Sequence, residues 1–347
     1  MTNYKGLAPF ASERRFVQRI VRIELLLVVA IMASACQAQH SDVERLTNEE
    51  IARLLGPSSG ATPNLRWPEL EKLIQHGDEP VVRQALHNAL KEKDPEVRLR
   101  AQFALFRLRD APEQRLLSLL ESLRAETWQE RYLARAIVGY SLQPRDDEYV
   151  LLLLDALSWP EPYVRGSVVM GLSVFASDSQ VLAALLHASE DDSSHVRAET
   201  AGALHMAVWG HPHLLEHDDV VRTVTDLARD EAAEVRQLAC ASLKEFKENQ
   251  LAVQTLLDAL RDHDPLVRAQ AVYSLAFVGL DASRLLSVLL HGLDDPAWQV
   301  QMRAIQALGQ IGPTAAAALP RLRDFLASDR YELRTTAEEA IRLIVSD

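Results

Sequence analysis

Nine residues, 211–219, hold three imidazoles and two aspartates, His211, His213, His217, Asp218 and Asp219, with His205 a short way upstream. Neutral imidazole together with carboxylate is a donor set for zinc or copper. A metal-binding or enzymatic accessory role would rest on this region, His205 to Asp219. Its spacing reproduces no zinc-site pattern, and His217-Asp218-Asp219 also reads as the start of a helix. The chain carries no Gly-x-Ser-x-Gly, no phosphate loop, no His-Glu-x-x-His and no Gly-x-Gly-x-x-Gly. The expectation is a protein without catalysis, resident metal or cofactor.

A second set of chemically capable groups is spread along the chain at a fixed place in a repeated phrase. The clearest copy runs from Asp264-Pro265-Leu266-Val267-Arg268 to Ala271 and Leu275. With its Val as marker, copies fall at Val97, Glu130, Val164, Val196, Val235, Val267, Val300 and Leu333, in steps of 33, 34, 32, 39, 32, 33 and 33 residues. An arginine follows nearly every marker: Arg98, Arg131, Arg165, Arg197, Arg236, Arg268 and Arg334. A regular ladder of guanidinium groups could grip phosphates. A net charge of -12 opposes that. The ladder is expected to be structural, each Arg pairing with an inter-helix Asp such as Asp94, Asp192 or Asp264, or with a neighbouring repeat's carbonyls, and no nucleic-acid partner is expected.

The elements that position these groups follow from the period. Four residues after the markers stand small or branched residues such as Ala101, Val168, Ala239 and Ala271, and eight after stand Leu105, Leu172, Leu243 and Leu275. Positions i, i+4 and i+8 share one helical face, and a small middle residue lets a neighbouring helix approach. Before each marked helix lies a second apolar segment, for example Leu151–Leu157 or Leu256–Leu260. Only 13 glycines and 6 % aromatics favour helix over strand. The fold class is therefore all-α: an α-solenoid of about eight antiparallel helix pairs, each burying its faces against its neighbours. Residues 81–92 should form the first helix of the first repeat, capped by 67–75. Repeat seven has Gln301 in the Arg position and reads as if two residues were inserted in Asp295-Pro296-Ala297-Trp298-Gln299-Val300.

The phrase resembles the HEAT-repeat family, particularly the short bacterial type seen in phycobilisome-lyase-like proteins, through Asp94-Pro95-Glu96-Val97-Arg98, Asp264-Pro265-Leu266-Val267-Arg268, Pro162-Tyr163-Val164-Arg165 and Glu234-Val235-Arg236. The likeness covers about residues 78–347 and implies a protein-binding scaffold or adaptor. HEAT-like deoxyhypusine hydroxylase holds its iron with His-Glu pairs. No His here is followed by Glu, so that chemistry is not carried over.

The N-terminus reads differently. Basic residues Arg14, Arg15, Arg19 and Arg22 precede the apolar run Leu25–Ala35, which is the length of a signal-peptide core and short of the about 20 residues needed to span a bilayer. Its end, Ala33-Ser34-Ala35-Cys36, resembles the lipobox of bacterial lipoproteins, in which the Cys is lipidated and cleavage falls just before it; Ala33 stands where Leu is usual. The expectation is a signal peptide over 1–35, a tether and short capping helix over 36–65, and the solenoid over 66–347. Lipid on Cys36 would anchor the protein on the periplasmic side of the cell envelope, with Gln37 favouring the outer membrane. A retained, inward-facing segment would instead leave a cytoplasmic regulatory scaffold.

Trp128 and Trp298 stand two residues before their markers and Trp159 five before. They either pack over the turns of their own repeats or form an aromatic edge for a protein partner. Cys240 reads as a small buried hydrophobe.

Overall fold

The computed structural model describes residues 46–56, 67–125, 134–135, 137–139, 142 and 144–346. The signal segment, Cys36, Trp128 and Arg131 lie outside the described residues. Those described are helices and turns without strands, and none of the helices is long and apolar enough to cross a membrane. They fall into two compact units that divide between Asp110 and Ala111.

The first unit contains α1 (Asn48–Leu55), α2 (Trp67–Gln75), α3 (Pro80–Ala89) and α4 (Pro95–Arg107). Thr47 and Glu50 cap α1 reciprocally: the Glu50 amide donates to the Thr47 hydroxyl at 3.2 Å and the Thr47 amide to the Glu50 carboxylate at 2.9 Å. The amphipathic helix buries Ile51, Leu54 and Leu55 and packs on α2, α3 and α4. Its end is held by Arg100 of α4, a fully buried side chain whose guanidinium donates to the Gly56 carbonyl and to the Glu96 carboxylate. Asp94 caps α4 by accepting from the Glu96 amide at 2.8 Å.

In the second unit the first helices of the pairs are α5 (Pro112–Ser122), α6 (Val150–Ala156), α8 (Ser179–Ala188), α10 (Asp218–Leu227), α12 (Gln250–Ala259), α14 (Ala282–Gly292) and α16 (Leu319–Asp324). The described second helices are α7 (Pro162–Leu172), α9 (Ser194–Gly210), α11 (Ala233–Leu243), α13 (Pro265–Leu275), α15 (Trp298–Gln310) and α17 (Tyr331–Val345). Consecutive second helices pack side by side from α7 to α17, and each also packs on its own first helix. This is the stacking expected of a solenoid.

The repeated phrase supplies that seam. Val196, Thr200 and Leu204, then Val235, Ala239 and Leu243, then Val267, Ala271 and Leu275 are all fully buried. Among the described residues the stripe loosens only in the last pair, where Ile341 is half-buried. Cys240 is buried as expected, and burial pushes its thiol up to about 12, so it stays protonated and packs as a hydrophobe.

The long step of 39 residues is spent at the far end of α9. That helix continues to Gly210, a 3-10 turn follows over Pro212–Glu216, and α10 then starts at Asp218. Repeat seven contains no insertion. Its helix starts at Trp298, and Asp295-Pro296 occupies the turn before it rather than the capping position.

Candidate interaction surface

From α7 onward neighbouring pairs meet along an edge formed by the inter-helix turns, and there the arginine ladder does structural work. Arg165 donates from Nε and Nη2 to the two oxygens of Asp191 at 2.7 and 2.8 Å. Arg197 does the same to Asp230 at 2.6 and 2.9 Å, Arg236 to Asp262 at 2.7 and 2.9 Å, and Arg268 to Asp295 at 2.8 and 2.9 Å. These are fork-to-fork pairs, a geometry that an ammonium cannot copy. The remaining Nη1 of each turns to its own repeat: Arg236 bonds the carbonyls of Asp230 and Glu231 at 2.8 and 2.9 Å, and Arg268 those of Asp262 and His263 at 2.8 and 3.2 Å. Outside this run, Arg98 bonds the carbonyls of Glu92 and Lys93, and Arg334 that of Ser328.

Two sequence expectations need correcting here. The carboxylate partner is neither Asp192 nor Asp264, because the pairing Asp stands five residues before the marker of the next repeat. The Asp three before is already spent: Asp264 accepts from the Leu266 amide at 2.7 Å, just as Asp94 caps α4. The carbonyls gripped belong to the same repeat, not to a neighbour. The turns at Asp191, Asp230 and Asp262 are thus held twice, through the Asp side chain by the preceding repeat and through their carbonyls by their own Arg. The signal was present in the sequence as Asp191, Asp230, Asp262 and Asp295, each five residues before its marker.

The run stops at α15. Gln301 keeps the carbonyl bond to Asp295 at 2.9 Å, and the next repeat has Ser328 where its carboxylate would stand. Trp298 takes over that junction, with the Arg330 guanidinium 5.2 Å from its ring centroid. At the other end Trp159 fills the slot five before the marker, with Arg124 at 5.7 Å from its ring and bonded to Glu161 at 2.8 Å. Both tryptophans are half-buried and stack against an arginine from a neighbouring turn.

The ladder carboxyls respond to these contacts. Burial disfavours their charge, but the arginine bond and a backbone amide two residues on outweigh it, so Asp191, Asp230, Asp262 and Asp295 all sit below the usual Asp value. His205, on α9, is pushed down to about 4 by burial and by the nearby Lys244 ammonium. Both effects make the folded chain bind fewer protons than the unfolded one, so stability rises with pH. His205 contributes between its ordinary value of 6.5 and about 4. The four Asp contribute above their ordinary value of 3.8, and that share is lost as pH falls through their depressed values. Chemical denaturation between pH 7 and 3 should show both losses, and His205→Gln should remove about 2 kcal/mol of the upper one.

His211 and His213 meet edge to face with ring centroids 6.0 Å apart, but His205 does not join them. His205 lies inside α9 with its Nδ1 buried and 3.9 Å from Glu245 Oε1. His211 bonds the Val174 carbonyl through Nε2 at 3.0 Å, His213 and His217 are exposed, and Asp218 and Asp219 both lie 3.5 Å from Arg222. Among the described residues no three His, Cys, Asp or Glu side chains are grouped to hold a metal ion.

What remains is the outward face of the second helices, set by positions one before the marker and three, six and ten after it. It carries apolar side chains in the open: Tyr163 is 53 % exposed, Leu266 46 % and Leu238 37 %. Tyr163 lies against the His195 ring at 4.8 Å, and Tyr273 against Phe277 at 5.0 Å. No residue type marks these positions in the sequence, and only their exposure on the folded helices distinguishes them.

Comparison with known proteins agrees with this geometry. Residues 205–276 and 253–342 match the family described as HEAT repeats. The chain is a HEAT-repeat protein. No curated protein matches it. Among solved structures, an X-ray structure of YibA from E. coli is similar at 19 % identity over 82 % of this chain and 99 % of that one, with a TM-score of 0.48. A designed armadillo repeat protein in complex with the peptide (KR)4 is similar at 20 % identity over 56 % and 99 %, TM-score 0.41. A chain from the complex of Kap95p with RanGDP is similar at 15 % identity over 86 % of this HEAT-repeat chain and 47 % of its own length, TM-score 0.51, a likeness of fold.

Proposed function

We propose that this HEAT-repeat protein is a non-catalytic scaffold that binds a protein partner on the outward face of its second helices. The observation that carries this reading is the row of exposed apolar side chains there, Tyr163, Leu238 and Leu266, on helices whose other faces are fully engaged. Exposed apolar groups set among polar ones are what a partner can desolvate for gain. The turn edge offers less, since its cations are already neutralised.

A photo-crosslinking residue at position 238, 266 or 273 should capture a partner that the same residue at the exposed first-helix positions 151 or 251 does not. Capture from first-helix positions alone would overturn the assignment of the face.

The lipobox-like Ala33-Ser34-Ala35-Cys36 supports a location at the bacterial cell envelope, on the periplasmic side, through lipid on Cys36. Cys36→Ser should release the protein from membranes and abolish globomycin-sensitive processing. Unchanged membrane association would favour the retained, cytoplasmic form of the scaffold.

A further inference from the structure

The outward face is not electrostatically uniform. The chain contains 49 Asp and Glu residues, yet neither α13 nor α15 contains one. Among neighbouring second helices from α7 onward, theirs is the only pair in which both lack a carboxylate: α9 has Glu199, α11 has Glu234, and α17 has Glu332, Glu338 and Glu339. In place of acids, α15 presents Gln299, Arg303, Gln306 and Gln310 along one stripe, and α13 presents Leu266, Gln270 and Tyr273, with Phe277 just beyond.

Arg303 is the cation of this window. Its guanidinium lies 5.0 Å from the Tyr273 ring centroid and donates to Gln306 Oε1 at 3.0 Å, and no carboxylate pairs with it among the described residues. Stacking on Tyr273 fixes the plane of the guanidinium and leaves donors for a bidentate acceptor. The Tyr273 hydroxyl is held by Gln310 Nε2 at 3.2 Å, so the platform is itself braced. Lys244, at the end of α11, adds a second positive charge. Burial disfavours its protonated form, Glu245 at 3.8 Å favours it, and Arg303 disfavours it again.

We propose that the partner segment received on α13 and α15 is acidic and apolar: an extended peptide that places a carboxylate on Arg303 and apolar side chains on Leu266, Tyr273 and Phe277. The proposal rests on the reading of the second-helix face as the binding surface and adds the partner's chemistry. The acids of α11 and α17 on either side repel the same carboxylate, which sets where along the array it lands. The two helices are about 16–20 Å long, the reach of about five or six extended residues.

The test uses the full chain and three end-capped, fluorescently labelled octapeptides with alternating Leu-Glu, Leu-Gln and Leu-Lys, followed by anisotropy at low salt. The Leu-Glu peptide should bind tightest and weaken as salt rises. Arg303→Gln should weaken it at least tenfold, Arg303→Lys less so, and Arg321→Gln, an exposed arginine paired with Asp294, not at all. Preference for the Leu-Lys peptide, indifference to Arg303→Gln, or absence of binding by all three would overturn the proposal. Binding of Leu-Lys or Leu-Gln that is abolished by Leu266→Asp would sink the acidic preference while sparing the second-helix face as a binding surface.

Discussion

Asp262→Ala is expected to destabilise the second unit by about 3 kcal/mol, read as a lower midpoint in urea unfolding. Its carboxylate accepts both arms of Arg236 and the Asp264 amide, and the side chains of the pair are only 7 % and 10 % exposed. Removing one partner of such a pair leaves the other's charge poorly solvated, and that penalty exceeds the net worth of the intact pair. Arg236→Lys should recover little, because a single ammonium cannot span two carboxylate oxygens and two carbonyls. Arg236→Met combined with Asp262→Leu should cost less than either single truncation, since no unpaired charge then remains. Equal and additive losses would mean that the pairs are solvated decoration. The contrast with α15 is informative, because the chain dispenses with the pair there and loses Arg and Asp together, as Gln301 and Ser328.

In the first unit the largest effect should come from Arg100→Ala. The side chain is fully buried and joins the end of α1 to α4. Its loss takes a buried cationic donor from the Gly56 carbonyl and the Glu96 carboxylate at once, for about 3–5 kcal/mol. The expected readout is local. Hydrogen exchange over residues 48–55 should approach that of an unfolded segment, because an eight-residue helix has no stability of its own. The second unit's urea transition should stay in place. Unchanged protection of 48–55 would show that burial of Ile51, Leu54 and Leu55 alone retains the helix.

Much of the fold was legible because one helical face repeats. Val267, Ala271 and Leu275 announce the buried stripe by spacing alone, and the spacing of their copies dictates stacking. Local chemistry was also readable: Thr47 with Glu50 spells a capping box, and Cys240 sits among buried letters. Long-range pairing was less so. Asp264 lies as near the arginines in sequence as Asp262 does, but its carboxylate already caps a helix through the Leu266 amide.

The sequence by itself therefore determined the helix pairs and their period, and that Arg98, Arg165, Arg197, Arg236, Arg268 and Arg334 bond the carbonyls of turns, because these depend on periodicity and on contacts within a repeat. The tertiary structure decided which Asp each of Arg165, Arg197, Arg236 and Arg268 grips, that Arg100 ties α1 down, and that His205 lies apart from the His211–His213 pair. It also decided that Arg303 stacks on Tyr273, 30 residues away in the chain, on a face free of carboxylates. Those contacts depend on how far each pair is rotated against the next, a quantity set by packing between helices rather than by the pattern along any one of them.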